Sequence, residues 1–318
     1  MAHRRIDVHQ HLLPPAYAAW LRSAGIHEAG GRELPSWSVQ DAVGLMDDHE
    51  IETAVLSVST PGVNLDPAKK VDPQARAMAR EVNEFSARVA CDNPRRFGFF
   101  ATLTLPDIDG ALAEARYALD TLGACGVILL ANTHGRYLGD PEDAPLLEEL
   151  NRRRAVVFVH PSTLPGPSVA GIPPFAADFL LDTTRAAYRL VQSGAVQRYP
   201  DLKIILAHAG GFLPYASHRI AAAITAESGR SPMDVLEDLG SFYFDTALSG
   251  SPAALPSLLA FAKPGHVLFG SDWPYAPAMA VSYFTAQLDA YGALDSDGHA
   301  AIDCGSAEAL FPQFATAG

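Results

Sequence analysis

Eight short apolar runs, separated by stretches with the period of an amphipathic helix, leave this chain few ways to fold. The runs are Ile6 to His11, Ile51 to Val58, Arg96 to Leu103, Gly126 to Ala131, Ala155 to His160, Lys203 to His208, Phe242 to Asp245 and His266 to Gly270. Their mostly continuous apolar character is what a parallel sheet buried on both faces requires. Helical patterns lie between them, running from the N-cap Ser38, from Asp72-Pro73, from Pro106 and Asp109 to Leu122, and from Phe179 to Val196. Eight strands in this alternation predict an α/β fold, a (β/α)8 TIM barrel, with Ser306 to Phe311 as a closing C-terminal helix. A doubly wound open sheet is the competing arrangement, but no Gly-rich dinucleotide turn follows the first run and no GxxxxGK[ST] occurs. With no internal repeat and no boundary in composition, residues 1–318 are expected to form one barrel domain. Pro14-Pro15 and Gly25 to Pro35 read as a long surface connection, and connections of that length often cover a site.

Composition excludes whole classes of function. The net charge is −13, from 36 Asp+Glu against 23 Lys+Arg. A field of that sign repels phosphate backbones and acidic lipid surfaces, so neither nucleic acid nor membrane is an expected partner. The one dense basic run, Arg152-Arg153-Arg154, ends a helical pattern, where cations complement the negative helix terminus. The 3 cysteines are far apart and form no CxxC pair, which argues against a disulfide framework and fits a reducing compartment. No signal-peptide pattern precedes the first strand and no run approaches the roughly 18 apolar residues of a membrane span. A soluble cytoplasmic protein is expected.

The strand ends carry the chemistry. Side chains at i and i+2 of a strand share a face, so His9 and His11 project into one space. In a barrel the carboxyl ends of all strands open onto a single face. His160 ends the fifth run, His208 the sixth, and Asp272 follows the eighth. Each alone could bond a loop or cap a turn. Together, three imidazoles and a carboxylate suit one Zn²⁺ or Mn²⁺ with a position left open for water or substrate, and a fourth histidine is then free for proton transfer.

These motifs, D-x-H-x-H at Asp7 to His11, V-H-P at Val159 to Pro161, A-H-x-G-G at Ala207 to Gly211 and G-S-D-x-P at Gly270 to Pro274, resemble the amidohydrolase superfamily. The likeness spans nearly the whole chain. It is greatest to the branch of aminocarboxymuconate-semialdehyde, γ-resorcylate, 5-carboxyvanillate and 6-methylsalicylate decarboxylases, with Trp37-Ser38, Met46-Asp47, Ser57 to Gly62 and Phe244 to Ala247 adding to it. The resemblance implies that His9, His11, His160 and Asp272 ligate one divalent ion, while His208 holds or activates a metal-bound water. Binuclear members carry a bridging lysine or glutamate after the fourth strand; Leu130-Ala131-Asn132 offers neither, so one metal is expected. The usual Gly-Asn-Ala before the last helix reads Gly305-Ser306-Ala307, a change that serine tolerates as a good helix cap. The family commonly forms dimers, and a homodimer is expected with it.

The activity so implied is non-oxidative decarboxylation of a hydroxylated aromatic acid, 6-methylsalicylate or a related salicylate. The ring carbon bearing the carboxylate must be protonated, by Asp272 or by metal water poised by His208. Phe175, Phe212, Trp273 and Tyr275 are the candidates for the wall of a pocket holding this small aromatic carboxylic acid. Metal-assisted hydrolysis of a lactone or amide is the alternative chemistry. A silent barrel serving as a binding subunit is a third reading, disfavoured by retention of all five polar strand-end groups.

Overall fold

The computed structural model describes residues 4–315. Eight parallel strands form one sheet in chain order: β1 (Arg5–His11), β2 (Ile51–Ser57), β3 (Phe97–Thr102), β4 (Gly126–Leu130), β5 (Val156–His160), β6 (Lys203–Leu206), β7 (Tyr243–Asp245) and β8 (Val267–Leu268). Each coincides with a predicted run. The sheet curls until its last strand meets its first. Val8 N–H donates to the Phe269 carbonyl (3.0 Å), Asp272 N–H to His9 (2.7 Å) and His11 N–H to Trp273 (2.7 Å). These bonds make the barrel and also set the Asp272 backbone directly beside the two histidines of β1.

The interior of the barrel is a packed apolar plug, not a channel. Val8, Val55, Phe100, Phe158, Ile205 and Leu268 fill it, and the Phe100 and Phe158 rings stack with centroids 5.4 Å apart. Phe311, just beyond the closing helix Ser306–Leu310, packs 5.9 Å from Phe100 and seals one end. At the other end Phe158 lies 4.8 Å from the His9 ring, so the plug is the floor of the histidine cluster. Phe158→Ala would leave a void beneath that floor, and an unfolding free energy lower by about 3–5 kcal/mol is expected in urea titration. A loss below about 1 kcal/mol would show that the ring supports nothing.

Helices cover the outside, and local chemistry sets where they begin. Ser38 Oγ accepts the Asp41 N–H (3.1 Å) at the head of Val39–Asp48. Asp72 accepts the Gln74 N–H (3.0 Å) at the head of Pro73–Asp92. The next helix starts at Ile108, two residues after Pro106, because the Asp107 side chain takes the Gly110 N–H (3.1 Å). The basic run behaves as a structural feature: Arg153 bonds both Asp120 (2.6 Å) and Glu149 (2.8 Å). Hydrogen bonds from Arg152 and Arg153 pull the Glu149 carboxyl down to about 2.

One expectation needs correcting. Pro15 opens a helix, Pro15–Ser23, instead of a surface connection. Proline is well suited to the first helical position because its missing N–H would have no partner there, and burial of Tyr17, Ala18 and Leu21 supplies the packing. The stretch beyond it folds as a hairpin, Glu28–Ala29 paired with Arg32–Glu33. Gly30 and Gly31, with φ of 60° and 81°, make its two-residue tip, the backbone that a tight hairpin needs. That tip lies over the connection between β5 and the helix Asp178–Gln192, with Phe175 N–H donating to the Gly30 carbonyl (3.2 Å). Among the described residues no helix is long and apolar enough to cross a membrane.

Candidate metal centre

Four side chains from three parts of the barrel rim converge: His9, His11, His160 and Asp272 each offer a ligand atom within 4.8 Å of the others, and all four are buried. His9 Nε2 is 3.1 Å from His11 Nε2. Asp272 Oδ1 is 3.1 Å from His11 Nε2 and 3.3 Å from His9 Nε2. Ligands about 2.0–2.2 Å from a common ion stand roughly 3.0–3.5 Å from each other, which is the spacing of the His9, His11 and Asp272 atoms, with His160 completing the set within 4.8 Å.

Each imidazole is held by its other nitrogen. His9 Nδ1 lies 2.7 Å from Asp245 Oδ2, His11 Nδ1 3.1 Å from Ser57 Oγ, and His160 Nδ1 2.8 Å from the Pro161 carbonyl. With Nδ1–H donating outward, Nε2 of His11 and His160 keeps a lone pair for a cation, and that of His9 offers one once its second proton leaves. Two imidazole nitrogens at 3.1 Å with a carboxylate oxygen against both have more acceptors than protons to share, and a divalent ion satisfies all three. The donor set therefore fits a single metal.

The electrostatics agree. Burial lowers the His160 imidazole well below its usual value, and His11, His9 and His208 push it further down, so it is neutral, as a metal ligand must be. Burial likewise lowers His11. For His9 burial acts downward too, but the charge and hydrogen bond of Asp245, joined by Asp272, outweigh it and raise the ring to about 10. Burial opposes ionisation of Asp272, yet its polar contacts with His11, His208 and His9, and the charge of His9, hold its carboxyl well below the usual range. The cluster thus binds positive charge, and a metal entering it displaces the proton on His9.

His208 stands apart from the ligands. Its backbone N–H donates to Asp245 Oδ1 (2.9 Å), its Nε2 is 3.4 Å from Asp272 Oδ2, and its Nδ1 is buried without a hydrogen-bond partner in the structure. A ring so placed can exchange a proton with Asp272 or with a molecule bound beside it.

Comparison with known proteins places this arrangement. The amidohydrolase family model matches residues 6–313. The chain belongs to the amidohydrolase family. This amidohydrolase is 41% identical to decarboxylase yanB of Aspergillus niger, covering 98% of the chain and 88% of the relative. It is 39% identical to 6-methylsalicylic acid decarboxylase of Penicillium expansum, covering 97% and 96%. The crystal structure of an amidohydrolase II superposes with a TM-score of 0.89 at 30% identity, over 97% of this chain and 99% of that one. The resemblance drawn from the strand-end motifs is borne out, and with it the expectation of an aromatic-acid decarboxylase.

Beside the metal cluster the amidohydrolase has a cavity bounded by His160, His208 and Asp272 on one side and by Phe175, Phe179 and Tyr275 on another. Two of the four expected aromatic residues are thus on its wall. Phe212 and Trp273 are not. Phe212 is 40% exposed, and Trp273 is 9% exposed and packed in the outer core. The cause is backbone conformation: φ is positive at His208, Ala209 and Asp272, so the chain turns immediately after each polar group and sends the next aromatic elsewhere.

Several wall or support residues escaped the sequence reading, Phe179, Thr60 and Leu248 among them. Arg32 reaches the cavity from the hairpin, with its guanidinium 4.1 Å from the Phe175 ring centroid. Ser59 reaches it from the turn after β2. Asp245, fully buried at the end of β7, binds both His9 Nδ1 and the His208 backbone. Asp245 could have been found, since it ends a predicted strand as His160 does. Asp245→Asn removes the charge that orients His9, and metal affinity is expected to fall about 10- to 100-fold, read by competition with a chelator. An unchanged affinity would leave Asp245 a merely structural group.

Proposed function

We propose that this amidohydrolase is a metal-dependent decarboxylase of 2-hydroxybenzoic acids of the 6-methylsalicylate kind, with His9, His11, His160 and Asp272 holding one Zn²⁺ or Mn²⁺. The observation that carries this reading is the division of labour within Asp272. Its Oδ1 faces His9 and His11, its Oδ2 faces His208, and the residue also lines the aromatic-walled cavity. One carboxyl group can therefore serve the ion and the ring at once.

A divalent ion bound there supplies Lewis-acid stabilisation of the substrate's phenolate and carboxylate oxygens. The residues do the rest. Phe175, Phe179 and Tyr275 clasp the ring, and Arg32 offers the cavity wall its cation for the acid's charge. Burial and the nearby Asp272 push the Tyr275 hydroxyl up, so it stays a neutral donor. Asp272 starts ionised, so the proton it delivers must first be taken from the substrate's ortho hydroxyl. It then passes that proton to the ring carbon bearing the carboxylate. The carbon–carbon bond breaks, its electron pair returns to the ring, and carbon dioxide and a phenolate leave. His208, 3.4 Å from Asp272 Oδ2, steadies the carboxyl through this transfer.

The test is a panel of 6-methylsalicylate, salicylate, γ-resorcylate and 5-carboxyvanillate given to metal-loaded protein while carbon dioxide and phenol are measured. Carbon dioxide and the matching phenol in equal amounts are expected. Ring-opened or hydrolysed products alone would overturn the decarboxylase reading in favour of hydrolysis.

A further inference from the structure

The turn after β7 contains a residue that its backbone does not suit. Ser249 N–H donates to the Thr246 carbonyl (2.9 Å), closing a four-residue turn whose third position is Leu248, with φ of 52°. A turn with positive φ at that position ordinarily takes glycine or asparagine, because a Cβ crowds the backbone there. The turn is held from both sides: Asp245 Oδ1 accepts the Ala247 N–H (3.0 Å) and Thr246 Oγ1 accepts the Gly270 N–H (3.3 Å). A leucine kept in a conformation that disfavours it points to a role for its side chain.

That side chain stands between two spaces. On one side it lines the cavity shared with Asp272, His208 and Phe175. On the other it lines a separate recess of mixed character, bounded by Phe269, Thr246 and Ser271 and by Val281, Phe284 and Leu288 of the helix Ala278–Asp289. It is the only branched aliphatic side chain on the wall of the first. The volumes make its size decisive: the cavity holds about 30 Å³ and the recess about 10 Å³. Benzene occupies a cavity of about 150 Å³, so a ring enters only as the wall gives way, and each wall side chain counts. The hairpin meets the Phe175 connection through one backbone hydrogen bond and the Arg32 guanidinium over the Phe175 ring, whereas Leu248 is held by the strand-end bonds around it.

We infer that Leu248 sets the size of the ring substituent the enzyme accepts, closing off the recess behind it so that a methyl group fits beside the metal cluster and a longer alkyl chain does not. This rests on the decarboxylase reading for its substrate class. Truncating Leu248 joins the cavity to the recess, and the room its own branched side chain vacates takes the added methylenes.

The experiment compares wild-type holoenzyme with Leu248→Ala and Leu248→Gly on 6-methylsalicylate and 6-propylsalicylate. Glycine suits the positive φ, so that variant keeps the turn even where alanine strains it. The wild type is expected to favour the methyl acid, and both variants to shift the kcat/KM ratio toward the propyl acid by about tenfold or more, mainly through KM. Calorimetric binding of 3-methylphenol and 3-propylphenol gives the same comparison without turnover. Ratios unchanged in both folded variants would overturn the inference. A wild type that releases no carbon dioxide, while its phenol preference still shifts in the variants, would remove the decarboxylase reading and keep the size gate.

Discussion

Asp272→Asn is expected to lower carbon dioxide release by about 10³-fold or more while the protein stays folded. The argument is one of protons. Asparagine keeps the shape of the side chain and an oxygen that can still face His9 and His11, so the barrel seam beside it, closed by backbone bonds from Asp272 N–H and His11 N–H, is undisturbed. What it cannot do is accept a proton from the substrate hydroxyl and pass it to carbon. The loss should therefore appear in kcat, measured as carbon dioxide released in a single turnover, with a melting temperature near that of the wild type. Metal content, measured alongside, separates loss of the proton carrier from loss of the ion. Turnover within about tenfold of the wild type would refute the proton role of Asp272.

His11→Ala should be as damaging by another route. His11 is fully buried, its Nδ1 is tied to Ser57 and its Nε2 stands 3.1 Å from both His9 Nε2 and Asp272 Oδ1. Alanine takes away a proposed ligand from the middle of the set, and a water in its place is a weaker and untethered donor. The variant should retain less than about a tenth of the wild-type metal after dialysis and show no turnover. Stability supplies an independent check. An ion that binds only the folded chain stabilises it, so a chelator should lower the melting temperature of the wild type and leave that of His11→Ala where it is. Unchanged metal content in the variant would exclude His11 from the ligand set.

Much of this site was legible in the chain because its signals are local. A strand's period of two puts His9 and His11 on one side without any knowledge of what lies opposite. The alternation of apolar runs with helical stretches predicts a barrel, and a barrel sends every strand's carboxyl end to one rim. His160, His208 and Asp272 follow from that rule alone. Asp245 obeys it equally, and its place under His9 was open to the same reasoning. The residues that were misplaced or missed fail for a different reason. Phe212 and Trp273 directly follow positions whose positive φ no apolar pattern reveals. Arg32 sits in a hairpin whose position depends on where the Phe175 connection rests, and Leu248 matters because of what lies behind it.

The chain's order of residues therefore determined the fold class, the rim on which the chemistry gathers and which side chains form the cluster proposed to hold the ion, since each depends on spacing along a strand or on the sequence of strands and helices. Tertiary structure alone decided which nitrogen of each imidazole faces inward, which aromatic side chains line the cavity, and that a single leucine lies on the walls of both the cavity and the recess beside it. Those outcomes depend on distances between segments far apart in the chain, where a turn of one backbone angle moves a side chain from the site to the surface.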